Sequence, residues 1–399
     1  MPKLAERMRR AKPSAIMVIA EKAKRLKAEG RDIISFSIGV PNFLPGDHVY
    51  AAASAALKHD SGQYGSNRGA DALLDAFLEH LRAIGLDGYT RNHCATGIGA
   101  KQVLYNLYEA LLNEGDSIVF PTPYWTSYLD IAEIVGARVQ LLPCGPEQNY
   151  KLLPAQLDAA LASKPRVFLF NNPSNPTGMV YSQTEIAALA DVLLGHPETW
   201  IITDDIYNRM VFDGVGYHNF VQIHPPLRER VIFMDSLSKT YGMPGWRVGF
   251  MAGPEIVAKA LTTLNSNHIT NLPEVTTAAA IAALSGPQDV PLARCAEFQQ
   301  KRDLVLAALN AIPGVVCPRP QGAFYVFPDI SLAFGKSHNG QRIDSDVDLC
   351  AALLEAKGVA CVPGSAFGEP RALRISYTCP TPQLAPGMQR IQQFFAELV

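Results

Sequence analysis

The seven cysteines of this 399-residue chain form no pattern. Cys94, Cys144, Cys295, Cys317, Cys350, Cys361 and Cys379 are scattered, odd in number and without a CxxC pair, which argues against a disulfide framework or a structural zinc site. They read as reduced core thiols of a cytoplasmic protein. The nine histidines form no pair at metal spacing either, so no metal is expected. An excess of one charge is also missing. With a formal net charge of -2, nothing general draws the chain to nucleic acid or an anionic membrane, and any basic site has to be local. No apolar run approaches the roughly 18–20 residues of a membrane span, and the basic N-terminus MPKLAERMRRAKPSA has no signal-peptide core. Repeats, low-complexity tracts and flexible linkers are absent too.

What is present is a chain 48% hydrophobic and 18% charged, long enough for two domains and a sizeable core. Helical spacing runs from Pro13 to Glu29, with Gly30 as a stop, and extended IISFSIGVP follows. Helical stretches then alternate with short apolar runs at 117–121, 138–143, 166–173, 200–205, 231–236 and 248–253. These runs lack two-residue alternation, as strands buried on both faces do. The expectation is an α/β fold: a large domain (46–285) with a mostly parallel sheet flanked by helices. SGPQDVP (285–291) is a polar connection to a smaller α+β domain (286–399). It holds a helix over 294–311, strand-like GAFYVFPDI (322–330), a helix near 348–357, LRISYT (373–378) and a final helix, joined by an N-terminal arm (1–45).

In open α/β sheets, ligands collect at the carboxyl ends of the parallel strands. Those ends are unusually polar here: Asn171, Asn172 and SNPTG after one run; Asp204, Asp205 and Tyr207 after another; Ser236, Ser238 and Lys239 after a third; Thr122 to Trp125 after a fourth. In ATGIGAKQVLYNLYEALL (95–112), glycines precede a helix whose free amides and dipole would hold a phosphate. GIGAKQ lacks the third glycine of a dinucleotide fingerprint, and no GxxxxGK[ST] occurs. Lys239 lies where a buried strand ends, with Arg247 eight positions on. A phosphate cradle, a buried lysine, an arginine, a carboxylate, a tyrosine and a tryptophan together match the needs of pyridoxal phosphate. The lysine must form an imine, so desolvation and a nearby cation such as Arg247 should depress its pKa. A carboxylate must pair with the pyridine nitrogen.

The motifs PTPYW, NNPSNPTG, TDDIY, SLSKTYGMPGWRVG, GAFYVF, PGSAFG and LRISY, in this order, resemble the fold-type I pyridoxal phosphate enzymes, specifically class I aminotransferases related to aspartate aminotransferase. RAKPSA and SIGVPNF resemble the bacterial branch of that group. The resemblance implies that Lys239 forms the imine and moves the proton, that Asp204 pairs with the ring nitrogen, and that Tyr207 and Asn175 bond the phenolic oxygen. It implies that Trp125 stacks on the ring and that the phosphate is held by the Ala100 and Lys101 amides, Ser236 and Arg247. It also implies that the sheet of the large domain is seven-stranded, and that the protein is a homodimer in which Tyr64 reaches in from a partner subunit. Arg374 would grip the substrate α-carboxylate near Gly39 and Asn175, and Lys101 a distal carboxylate.

The implied reaction is ping-pong transamination between an L-amino acid and a 2-oxo acid such as 2-oxoglutarate. A lyase or decarboxylase of the same fold, a nicotinamide oxidoreductase using the GIG loop, and a non-catalytic regulator are the alternatives. The incomplete fingerprint argues against the oxidoreductase, and the intact Lys239, Asp204 and Arg374 against the regulator. Ile16 stands where many relatives have threonine, which leaves room for aromatic or aliphatic donors. His268 is a further candidate for the mouth, and His93 reads as a packing residue.

Overall fold

The computed structural model describes residues 3–11, 13, 15–59 and 62–399. Lys12 and Ser14 of the RAKPSA motif, and with Ser14 part of the helix expected from Pro13, lie outside the described residues. The central sheet contains β1 (Cys94–Gly97), β2 (Ser117–Thr122), β3 (Arg138–Pro143), β4 (Val167–Asn171), β5 (Trp200–Asp204), β6 (Val231–Ser236) and β7 (Gly249–Ala252). Their spatial order is β1-β7-β6-β5-β4-β2-β3. Adjacent strands are parallel except around β7, which runs antiparallel to both β1 and β6. Only a three-residue helical turn, Pro244–Trp246, lies between β6 and β7. No helix is available there to carry a parallel crossover, so the chain returns antiparallel.

Burial follows the two-residue period of the strands. Ile202, Ile232 and Met234 pack into one core cluster, and Ile201, Val231 and Phe233 into the cluster on the other face. The expectation of strands buried on both faces fails at β3. It is an edge strand paired only with β2, and Arg138, Gln140, Leu141 and Pro143 are exposed. Strand β1, four residues long, was hidden in the sequence before the glycines of GIGAKQ.

The helices that bear on the site are α1 (Ala15–Ala28), α2 (Asp71–Ala83), α3 (Ala100–Leu111), α4 (Thr126–Val135), α5 (Gln183–Gly195), α6 (Asp289–Asn310) and α7 (Thr381–Ala396). Helix α6 begins inside the expected connection, because Pro291 falls in its first turn, where the missing N–H costs nothing. A second, three-stranded antiparallel sheet has the order β9-β10-β8, with β8 (Tyr325–Val326), β9 (Val362–Pro363) and β10 (Leu373–Ser376). Within GAFYVFPDI only Tyr325–Val326 form a strand, while Gly322 and Asp329 make isolated bridges. Ile34–Ser35 pairs in parallel with Val359–Ala360. Among the described residues, no helix is long and apolar enough to cross a membrane.

Candidate active site

A cavity of about 440 Å³ opens at the carboxyl ends of the parallel strands. Among the described residues four cations line it, Lys101, Lys239, Arg247 and Arg374, against a single carboxylate, Asp204. Strand order decides who arrives. The start of α3 brings Ala100 and Lys101; Trp125 comes from the turn before α4; the ends of β4 and β5 bring Asn175, Asp204 and Tyr207. Gly39 and Arg374 come from the N- and C-terminal segments, and Ile16 from α1.

Lys239 Nζ donates to the Gly39 carbonyl at 2.7 Å. Burial first, then the Arg374 charge, lowers its pKa from 10.5 to about 8, with Asp204 opposing. Arg247, the cation expected from the sequence, contributes less than Arg374. Gly39 has to be glycine, since a Cβ there would collide with the Tyr325 hydroxyl and ring. Asp204 is buried, and burial raises its carboxyl to about 6 against the hydrogen bonds that favour the anion. The strongest of these comes from Tyr128, whose hydroxyl donates to Asp204 Oδ2 at 2.5 Å. Its neighbour Asp205 accepts from Asn219 Nδ2 at 3.0 Å and does not line the cavity.

The Tyr207 and Tyr325 hydroxyls are 2.8 Å apart. Burial first, and the Tyr325 contact next, holds the Tyr207 phenol well above its ordinary range. Arg374 donates from Nη1 to Asn175 Oδ1 (3.0 Å) and from Nη2 to the Ser37 carbonyl (2.6 Å). Its guanidinium lies between the rings of Tyr325 and Phe367, 4.7 and 4.8 Å from their centroids. Its Nε is buried with no partner among the described residues. An unmet buried donor of this kind is costly until an acceptor arrives. Lys101 Nζ sits 5.1 Å from the Trp125 ring centroid, and burial lowers its pKa while Asp130 opposes.

The loop entering α3 is shaped for close approach. Gly99 has φ +77°, and a Cβ there would strike the Arg247 guanidinium; a Cβ on Gly249 would strike the Gly99–Ala100 backbone. Arg247, itself left-handed at φ +56°, is pinned by donating to Pro244 O (2.9 Å) and Ile98 O (3.2 Å).

Three expected residues are not brought to the cavity. The Ser236 hydroxyl donates to Ser238 Oγ at 2.7 Å, and it is Ser238 that lines the space. Tyr64 is 87% exposed and borders a separate surface cavity with Asn271 and Thr277. His268 is taken up by Asn106, 3.1 Å away, and His93 caps a short helical turn with Thr90, as a packing residue should. Tyr128 and Tyr325 were missed in the sequence, and Ser238, named there among the polar strand ends, had been given no role. Tyr128 had a signal, since it follows Trp125 by three residues and so shares its helix face.

The family model for aminotransferase class I and II matches residues 31–391. The chain belongs to this family. It is 42% identical to the aspartate/prephenate aminotransferase of Cereibacter sphaeroides over 99% of both chains. It is 38% identical to the aspartate aminotransferase of Geobacillus stearothermophilus over 98% of each. The crystal structure of the Rhizobium meliloti aspartate aminotransferase superposes with a TM-score of 0.96 at 37% identity, covering all of both chains. That of the Thermus thermophilus enzyme with maleate gives 0.90 at 30% identity, over 99% of this chain and all of that one. This aminotransferase is therefore a transaminase of fold type I that depends on pyridoxal phosphate. The cavity of the aminotransferase fits the group. Its positive excess suits a phosphate dianion, the glycine-shaped α3 entrance lets a phosphate approach the amides, and Asp204 is the one carboxylate available to a ring nitrogen.

Proposed function

We propose that the enzyme moves the amino group of an L-amino acid, with aspartate as a principal donor, to a 2-oxo acid such as 2-oxoglutarate, in two ping-pong half-reactions. The observation that carries this reading is the pair of further cations, Arg374 and Lys101, lining the same cavity as Lys239 and Arg247. A dicarboxylic substrate needs two such positions. Relatives named for aspartate, and one solved with maleate, a dicarboxylate, support it.

Bound pyridoxal phosphate supplies an electrophilic aldehyde and an electron-withdrawing ring. Everything else is done by this chain. Lys239, with its pKa near 8, carries an appreciable neutral fraction at neutral pH, so its Nζ can attack a carbonyl and later accept and return a proton. Arg374, prealigned by Asn175 and Ser37, holds the α-carboxylate through charge-assisted bonds. A carboxylate so held is retained rather than lost, which favours proton removal at Cα over decarboxylation. Asp204, favoured as the anion by the Tyr128 bond, would pair with a protonated ring nitrogen, and Tyr207 with Asn175 would hydrogen-bond the phenolic oxygen. Trp125 would stack on the ring, while the Ala100 and Lys101 amides, Ser236 and Arg247 would hold the phosphate, Ser236 acting behind Ser238.

One observation favours a second class of substrate. Ile16, Met17 and Val40 line the same cavity and suit a large apolar or aromatic side chain beside the acidic one. Prephenate, named in some relatives, is a candidate acceptor of that kind. The exposed Tyr64 fits a homodimer in which it completes the partner's site. The division into an arm (1–45), a large domain (46–285) and a small domain (286–399) belongs to the same reading. So does a cytoplasmic, reducing setting, in keeping with seven free thiols.

The test is a panel of amino donors mixed one at a time with the cofactor-loaded enzyme, followed by the cofactor absorption band in single turnover and by 2-oxo acid release. Aspartate should convert the band fastest and aromatic donors measurably. Conversion by neither, or release of carbon dioxide or ammonia in place of the 2-oxo acid, would sink the reading.

A further inference from the structure

The far face of the sheet, behind the cavity, carries a buried polar set that the reaction as described does not use. Alternation along β6 turns Asp235 away from the cavity, into the cluster that contains Phe77, Phe233 and Phe250. A carboxylate in such surroundings is expensive unless every oxygen is met. Here each one is. Asp235 Oδ1 accepts from the Ser236 amide at 2.6 Å, and Oδ2 accepts from Asn208 Nδ2 at 2.7 Å. His80 of α2 closes the set, its Nε2 2.9 Å from the same Oδ2.

Histidine tautomers are read from partners. His80 Nδ1 is buried and meets no partner among the described residues, so the satisfying arrangement places the proton on Nε2, donating to Asp235. His80 is itself held flat against Phe77, with 6.1 Å between ring centroids. Asn208 also donates to the Asp205 carbonyl at 2.8 Å.

These bonds reach both turns that bear the proton-handling groups. Ser236 begins the turn that carries Lys239, and Asn208 follows Tyr207 directly. We propose that Asp235, oriented by His80, is a positioning residue that clamps the Lys239 turn to the Tyr207 turn from the face opposite the cavity. It also places a negative charge behind Asp204. Asp235 faces His80 from α2, Asp204 and Asp205 from the β5 end, and Tyr217 and Tyr241 from the flanking loops. Asp204 is faced by Tyr128 from α4, Tyr108 from α3, Tyr207, Tyr325, Asp205, Lys239 and Asp235. Among these Asp235 pushes the Asp204 carboxyl upward.

This inference rests on the roles given above to Lys239 and Tyr207, and its test separates the two. Hydrogen exchange of the cofactor-loaded wild type is compared with Asp235→Asn, which keeps the shape and removes the charge, and with His80→Phe, which keeps the stacking and removes the donor. Exchange should quicken selectively in segments 205–212 and 236–243 in both variants. In Asp235→Asn, kcat should fall about tenfold, the scale of a small misplacement, with KM for the donor little changed. The acid limb of the rate profile should move to lower pH, because the charge that raises Asp204 is gone. Exchange that rises evenly across the sheet in both variants, or that matches wild type while kcat stays within twofold, overturns the proposal. A wild type without transaminase activity would overturn the proposed function instead, and the exchange comparison would remain readable.

Discussion

The two ends of the central sheet carry similar side chains and do opposite work. At the amino ends of the strands, Arg138 donates to Gly115 O, Arg166 to Leu111 O, and Arg230 to the carbonyls of Leu193, His196 and Thr199. Leu111 and Leu193 lie in the last turns of α3 and α5, where four carbonyls have no partner within the helix and the dipole is negative. The cations at this end are used up as caps, and Lys164 is paired with Glu198 at 3.1 Å. At the carboxyl ends, helices depart with free amides, so the backbone is positive before any side chain is added. Lys101, Lys239, Arg247 and Arg374 add to that field, with Asp204 alone against them among the described residues of the cavity. Basic residues at both ends donate to backbone carbonyls, and those that mark function are the ones that also line a cavity open to a ligand.

The comparison breaks most severely at Arg374. Arg374→Lys keeps the charge and loses the planar fork, and truncating a buried charge pair costs about 2–5 kcal/mol, so kcat/KM for the donor should drop about 30-fold or more. Affinity for pyridoxal phosphate should change little, by absorbance titration. Equal losses of both would remove the assigned role.

Tyr128→Phe comes next. The Tyr128 bond stabilises the Asp204 carboxylate, so its loss raises a pKa that already stands at about 6. Activity that needs the anion is present above that pKa and is lost as pH falls through it. The acid limb of kcat/KM should therefore move up by about one pH unit, the worth of one such bond. An unmoved limb would mean that another group governs it.

The smallest effect belongs to the other end. Arg230→Ala uncaps the end of α5 and should cost about 1–2 kcal/mol of stability, read as a lower Tm. Its kcat at 25 °C should equal that of the wild type. A loss of kcat without a change in Tm would erase the division between the two ends.

Much of this was legible in the chain. Strand ends 171, 204 and 236 were visible because each apolar run stops at a polar cluster, and Lys239, Asp204, Tyr207, Asn175, Arg247 and Arg374 do meet in one cavity. The reversed β7 was not legible, because direction depends on whether a helix intervenes and not on the strand residues. Nor was the exposed β3, whose edge position is set by sheet order. Ser236 looked equivalent to Ser238, and it is the turn beyond the end of β6 at Ser236 that brings the Ser238 hydroxyl to the cavity. Tyr128 and Tyr325 passed for core aromatics because their hydroxyl partners, Asp204 and Tyr207, lie 76 and 118 residues away. The same distance problem hid His80, whose partner Asp235 is 155 residues on. Tyr64 lies outside the cavity of a single chain, so the role proposed for it would require a second copy.

Lys239, and not the second lysine of the cavity, is the amine proposed to react. Borohydride reduction of the cofactor-loaded protein followed by peptide mass mapping distinguishes the two. One cofactor mass is expected on the peptide that contains Lys239; label on Lys101 with Lys239 unmodified would assign the reaction to the other lysine.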